Sequence, residues 1–288
     1  MDSPDRFFIW LSVLAYGLAV LYAAWKVFRV ENHSRSVTYI LIVAGFVLQS
    51  IGLYLRGIEI GGCPLGNTFE IIQFILWSVI FLFLVVGPVF HVNLLGSFSA
   101  SLAFAMSLLS LLVPGWDRAH ETVRFGGDPL IEFHAAVSIF SYGIFGLLAV
   151  VSIMYRFQYA SLNRKKRAKV YSFLPSIVKL DGLSSRLLHA GLLVLSLAFL
   201  SGILVWFEEA WGHLQWKLLI VFVLWLGYTV LGTLRWRGII SPKRSANAFI
   251  FLFLIALISL WPLDSVQRNS AELPADVTEI LPSGNSVE

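Results

Sequence analysis

Eight apolar runs of about 20 residues each follow one another along the chain, and no other feature constrains its fold as strongly. A helix needs roughly 20 apolar residues to cross a hydrocarbon core of about 30 Å. The segments near 7–25, 38–55, 71–90, 93–113, 133–155, 187–207, 216–234 and 246–263 each supply them. Inside lipid every backbone N–H and C=O must find its partner within the protein, so runs of this kind close their hydrogen bonds as helices. Composition agrees. Mean hydropathy is +0.79, and 13% of the 288 residues are charged, where a soluble domain carries about a quarter. The expectation is an all-α, polytopic membrane protein with eight transmembrane helices. Gly87-Pro88 is expected to separate the third span from the fourth, and Pro114-Gly115 to end the fourth. Residues 7–28 have the hydropathy of a signal peptide, but no small-x-small cleavage site before a soluble domain follows. They are read as a retained first span.

Orientation follows from where the charges fall. Eight spans divide the links into two sets. Those after spans one, three, five and seven hold 15 of the 21 Lys and Arg residues and only two acids, Glu31 and Asp181. The other side carries six basic residues and 15 of the 17 acids. Basic residues collect on the cytoplasmic side, so both termini are expected outside and the stretch "NRKKRAK" at 163–169 in the cytoplasm. The formal charge of +4 thus reflects membrane topology and gives no sign of nucleic-acid binding. Residues 264–288, rich in Pro, Ser and acids, are expected to form a disordered outer tail after a membrane domain at 1–263. No internal repeat is strong enough to suggest an inverted-repeat transporter.

The chemistry-bearing residues gather near span ends. Cys63 is the single cysteine, which excludes an intrachain disulfide, a multi-cysteine zinc or iron–sulfur site and a CxxCH attachment motif. Any haem would therefore be held non-covalently or handed on. Of six histidines, His120, His134 and His213 fall on the outer side, and His33, His91 and His189 on or near the cytoplasmic side. The link "WFEEAWGHLQW" between spans six and seven places Trp206, Trp211 and Trp216 around His213. Two histidines at similar depth with indoles between them, His134 and His213, could bracket a porphyrin. The same tryptophans also suit an aromatic belt at the interface, and the residues alone leave both readings open. His189 lies inside the sixth span, where a polar ring is costly; it reads as a functional group or as one bonded to a neighbouring helix. Asn67, Glu70 and Gln73 form a polar stripe entering the third span. Asn67 or Thr68 is placed to cap that helix, and Glu70 suits its first turn.

Three stretches together resemble one family. "CPLGNTFEIIQFILWS", "FHAAVSIFSY" and "LDGLSSRLLHAGLLVLSLAFLSGILVWFEEAWGHLQWK" resemble segments of the cytochrome c assembly membrane proteins, the CcsA, ResC and CcmC relatives, and most of all the shorter YpjD/HemX-like branch. The resemblance covers roughly residues 60–240. It implies a haem-handling protein that presents haem b at the outer face of a bacterial inner membrane, to apocytochrome c and with another assembly protein. By the same resemblance, His134 and His213 are the candidate axial ligands of the haem iron, and Trp206, Trp211 and Trp216 the surface against the ring. His189, with His91, is a second and weaker candidate station. The family's tryptophan-rich segment continues through Trp-Asp-Pro-Lys-Glu, which this chain lacks, and no histidine follows His213. The resemblance therefore implies no catalytic residue of its own and at most a component of a holocytochrome c synthase system. Two other classes stay open: a haem-free accessory or scaffold subunit, and a small-molecule exporter.

The charge argument is tested without reference to any family. A topology reporter inserted within residues 163–169 should read cytoplasmic, and one fused after Asp264 should read external; the reverse pattern would overturn the assigned orientation.

Overall fold

The computed structural model describes residues 4–29, 35–90, 94–117, 129–163, 174–206 and 215–259. The helices are α1 (Pro4–Arg29), α2 (Arg35–Ile60), α3 (Thr68–Phe90), α4 (Leu95–Leu112), α5 (Pro129–Asn163), α6 (Ile177–Trp206), α7 (Gln215–Trp236) and α8 (Pro242–Ser259). A single 3-10 turn, Pro114–Trp116, follows α4, and no strand occurs among the described residues. All eight α-helices are long and apolar enough to cross a membrane. The expected eight-span, all-α architecture is present.

The third span ends at residue 90 as expected, but Gly87-Pro88 is not what ends it. Gly87-Pro88 does not break the chain between spans; α3 continues through Pro88 to Phe90. A proline so near a helix end removes only one hydrogen bond, where several carbonyls lack intrahelical partners anyway. The fourth helix does stop where Pro114-Gly115 was expected to stop it.

Contacts at the two ends of the bundle fix the alternation of the helices. At the end where α1 begins, Asp5 of α1, Arg56 of α2, Glu70 of α3 and Asp117 beyond α4 meet one another. At that same end His134 of α5 meets Ser201 near the close of α6. At the opposite end Phe98 of α4 lies beside Phe157 of α5, and the Lys243 ammonium of α8 sits over the Tyr159 ring of α5. There too Arg235 of α7 pairs with Asp181 of α6 at 2.7 Å and reaches Ser245 of α8 at 3.1 Å. Successive helices therefore run in opposite directions.

The helices form two up-and-down groups of four. Within the first, α1 packs on α2 and α4, and α3 packs on α2 and α4. Within the second, α5 packs on α6 and α8, and α7 packs on α6 and α8. Helix α5 joins the groups by packing on α3 and α4. It is the central element: 72% of its apolar stretch is buried inside the protein, against 11% for α7. Small residues permit the seam between α3 and α5. Gly143 lies directly on Ser78, and a Cβ at Gly146 would come within 2.9 Å of Val79. Close backbone approach of this kind carries much of the packing between helices in lipid, where the hydrophobic effect offers no preference for protein over acyl chain.

Polar bonds tie the first group together internally. The Tyr16 hydroxyl of α1 donates to Gln49 Oε1 of α2 at 2.9 Å. Gln49 Nε2 donates to Gln73 Oε1 of α3 at 2.9 Å and to its carbonyl at 3.1 Å. Gln73 Nε2 in turn donates to Ser107 Oγ at 2.7 Å and Ser110 Oγ at 2.9 Å, both on α4. Both glutamines are fully buried. Each interhelical bond of this kind contributes about 0.6–2 kcal/mol, and the ladder touches all four helices. The second group has no such ladder among the described residues. It combines apolar surface, such as the stack of Phe145 on Tyr228 with ring centroids 3.8 Å apart, with separate polar ties. These are Arg235 to Asp181 and Ser245, and Trp225 Nε1 donating to Ser196 Oγ at 2.9 Å.

Gln73→Leu should therefore lower stability by about 1–3 kcal/mol, because Gln49, Ser107 and Ser110 lose a partner away from water. The double change Gln49→Leu/Gln73→Leu should cost less than the sum of the two single changes, since each already breaks the bond they share. Unfolding titrations in mixed detergent micelles measure both; strict additivity would show that the ladder is not coupled.

Candidate functional site

The end of the bundle where α1 begins carries the side chains with chemical potential. It is built around the link between α2 and α3. Helix α2 closes with the Gly61 and Gly62 N–H groups on the Gly57 carbonyl, at 2.9 and 3.1 Å. Gly61 has φ +75°, the left-handed conformation that glycine adopts without a steric penalty at a helix end. Six residues on, Asn67 caps α3: its Oδ1 accepts the Glu70 N–H at 2.9 Å. The polar stripe read from the sequence is thus real, with its three members in different roles. Asn67 caps, Gln73 belongs to the ladder, and Glu70 joins an ionic cluster.

That cluster is centred on Arg56. Its Nε donates to Glu70 Oε1 at 2.5 Å and its Nη1 to Asp5 Oδ2 at 2.8 Å, while Nη2 donates to Asp117 Oδ1. Arg6 Nε lies 2.9 Å from the other Asp117 oxygen. The Gly66 N–H donates to Glu70 Oε2 at 2.7 Å, which anchors the α2–α3 link to the cluster. The three carboxylate side chains are 0–7% exposed, and a planar five-donor guanidinium suits three of them in a way that a lysine ammonium does not. With its charges so engaged, the cluster is a structural lock. Among the described residues no group of three or more His, Cys, Asp or Glu side chains is arranged to hold a metal ion.

The link also touches α5. A Cβ on Gly62 would stand 2.7 Å from Glu132 Oε1, so backbone and carboxylate are in close contact. Cys63 beside it is partly buried. Burial first, and then the negative charges of Glu132 and Glu70, push its thiol up to about 11.

Two residues further along α5 is His134, half-buried. Its Nδ1 lies 3.1 Å from Ser201 Oγ on α6. The ring edge rests on Gly202, where a Cβ would come within 2.7 Å of Cε1. One helical turn beyond Gly202, about 6 Å along the axis, α6 ends at Trp206. His134 is thereby held against the last turns of the helix that leads into the tryptophan-rich segment.

The other sequence-predicted residues fall as follows. Trp206 is the last residue of α6 and Trp216 the second of α7, but their side chains lie outside the described residues, as do Trp211, His213, His91 and the tail from 260 onward. His189 is exposed on α6, its Nδ1 2.7 Å from the Ser185 carbonyl one turn back in its own helix. It is 12 residues from Ser201, or about 18 Å along the axis, so the fold does not bring it to His134. Sequence reasoning passed over Arg56, Asp5 and Asp117, although an arginine within an apolar span is itself a signal. It also passed over Ser201, which nothing local distinguishes from the other serines of α6.

A helical protein with eight spanning helices, joined as two groups of four through α5, is an integral membrane protein. The sequence model of the family described as "Cytochrome C assembly protein" matches residues 65–267, and the chain belongs to that family. Among its relatives is the protein HemX of Bacillus subtilis (strain 168), 26% identical over 263 residues, which are 89% of this chain and 94% of that one. The protein HemX of Brevibacillus brevis is 24% identical over 254 residues, 85% of this chain and 92% of its own. The cytochrome c biogenesis protein CcsA of Prochlorococcus marinus is 26% identical over 277 residues, 86% and 87% of the two chains. Membership of the family supports a role in cytochrome c biogenesis.

The environment of Cys63 has a measurable consequence. With its thiol held near 11, only about one molecule in a thousand carries the reactive thiolate at pH 8. Alkylation should be slow at neutral pH and still rising at pH 10, and Glu132→Gln should speed it by removing one of the opposing charges. A rate that levels off near pH 9, with no effect of Glu132→Gln, would contradict this environment.

Proposed function

We propose that this protein binds haem b and hands it on during cytochrome c biogenesis, at the end of the bundle where α1 begins and with that end facing outside the cytoplasm. The observation that carries the reading is His134, a half-buried imidazole clamped by α6 within about one turn of the tryptophan-rich segment. The chemistry of the donor fits the cargo. Imidazole is a common axial ligand of haem iron, and its neighbours on α6 hold the ring at Nδ1 and Cε1. His213 is the candidate for the second axial position, and Trp206, Trp211 and Trp216 offer flat apolar surface for the porphyrin. His189, with His91, would serve a separate station.

The family and the names of its members support the same direction: the chain aligns along nearly its whole length with relatives named HemX and with cytochrome c biogenesis proteins named CcsA. The segment between α6 and α7 is short, and so leaves little surface to cover both faces of a porphyrin. Binding is therefore exchangeable, and the haem passes to apocytochrome c through another assembly protein.

The experiment is an absorption titration of the full chain in nanodiscs with reduced haem. The wild type should give a Soret band that His134→Ala abolishes or shifts, and the haem should transfer to a second component. A wild-type protein that takes up no haem, or a His134→Ala spectrum identical to wild type, would overturn the haem-site reading. Covalent holocytochrome formed by this chain alone would overturn the hand-on role.

A further inference from the structure

We propose that Ser201 is a positioning residue for His134, fixing the tautomer that leaves Nε2 unprotonated and able to ligate iron. The proposal rests on the reading of His134 as a haem ligand. It follows from counting protons. A serine hydroxyl has one proton to donate, and Ser201 Oγ donates it to the Ala198 carbonyl of its own helix at 2.9 Å. Toward His134 the oxygen can then only accept. At 3.1 Å from Nδ1, it requires the ring proton to be on Nδ1. A neutral imidazole carries one N–H, so Nε2 keeps its lone pair, which is the state that a metal ligand needs.

The opposite tautomer is disfavoured on this geometry. With the proton on Nε2, two lone pairs would face each other across 3.1 Å, or Ser201 would have to turn its hydroxyl from the Ala198 carbonyl toward Nδ1. Either cost is larger here than in water because the surroundings are of low dielectric. Gly202 adds the steric half of the device. A Cβ there would lie 2.7 Å from Cε1, 3.3 Å from Nδ1 and 3.4 Å from Nε2, so the missing side chain makes a notch that receives the ring edge. Two adjacent residues of α6 thus set both the rotation of the ring and its proton. Partners of this kind, bonded to the second nitrogen of a ligand histidine, orient the ring and raise its basicity.

The test uses the full chain in nanodiscs, labelled with 15N-histidine. Long-range 1H–15N spectra of the haem-free protein should show His134 protonated on Nδ1. Ser201→Ala should move it toward the Nε2-protonated or mixed pattern, while Ser201→Thr, which keeps the hydroxyl, should restore the wild-type pattern. In haem titrations Ser201→Ala should weaken binding about 10- to 100-fold and shift the reduction potential, with Ser201→Thr close to wild type. If His134→Ala abolishes the Soret band but Ser201→Ala leaves tautomer and affinity unchanged, the role given to Ser201 is wrong and the ligand reading survives. If His134→Ala leaves the Soret band intact, the ligand reading falls and takes the iron-directed part of this proposal with it. An Nε2-protonated His134 in the wild type would overturn the proposal directly.

Discussion

A guanidinium held by three carboxylates at one end of the bundle is the interaction on which this architecture most depends. Arg56 gathers Asp5 from the first turn of α1, Glu70 from the first turn of α3 and Asp117 from beyond α4. Removing one partner of a buried ion pair typically costs about 3–5 kcal/mol, because the charges left behind cannot reach water. The cluster therefore specifies which helix ends meet, more than it adds net stability. Through the Gly66 N–H on Glu70 it also sets the path of the α2–α3 link, and that link lies against Glu132, two residues before His134.

The two groups of four helices solve the same problem by different means. The first uses an amide and hydroxyl ladder through Tyr16, Gln49, Gln73, Ser107 and Ser110. The second combines apolar packing, with Phe145 stacked on Tyr228 and α7 largely exposed at its edge, with separate polar ties from Arg235 and Trp225. The proposed site lies at the end of the second group, where α5 meets α6. Its central helix, which carries His134, packs closely on the first group at Gly143 and Gly146, so the two groups meet along the helix that carries the proposed site.

His134 shows how a common residue becomes a specific one. An imidazole at a membrane boundary has many uses. A serine partner on the adjacent helix and a glycine notch beneath the ring narrow them, since they constrain the ring's rotation and its proton together. Among the described residues His189 has neither, being exposed and bonded within its own helix. The contrast separates the two candidates more sharply than their positions in the sequence could.

What the sequence determined by itself is what depends on local composition. Eight apolar runs imply eight helices because lipid leaves the backbone no other partner. The Asn67 cap and the stop at Pro114-Gly115 follow from nearest-neighbour chemistry, and the motif order around Asn67, His134 and Trp206 sufficed for the family. Pro88 shows the limit of such rules: a helix breaker near a helix end has little left to break. Only the tertiary structure decided which polar residues meet. Asp5 and Asp117 stand far from Arg56 in the chain, and Ser201 is 67 residues from His134. Each of these pairings exists because antiparallel helices return distant residues to the same depth, and no local periodicity encodes which helix will lie beside which.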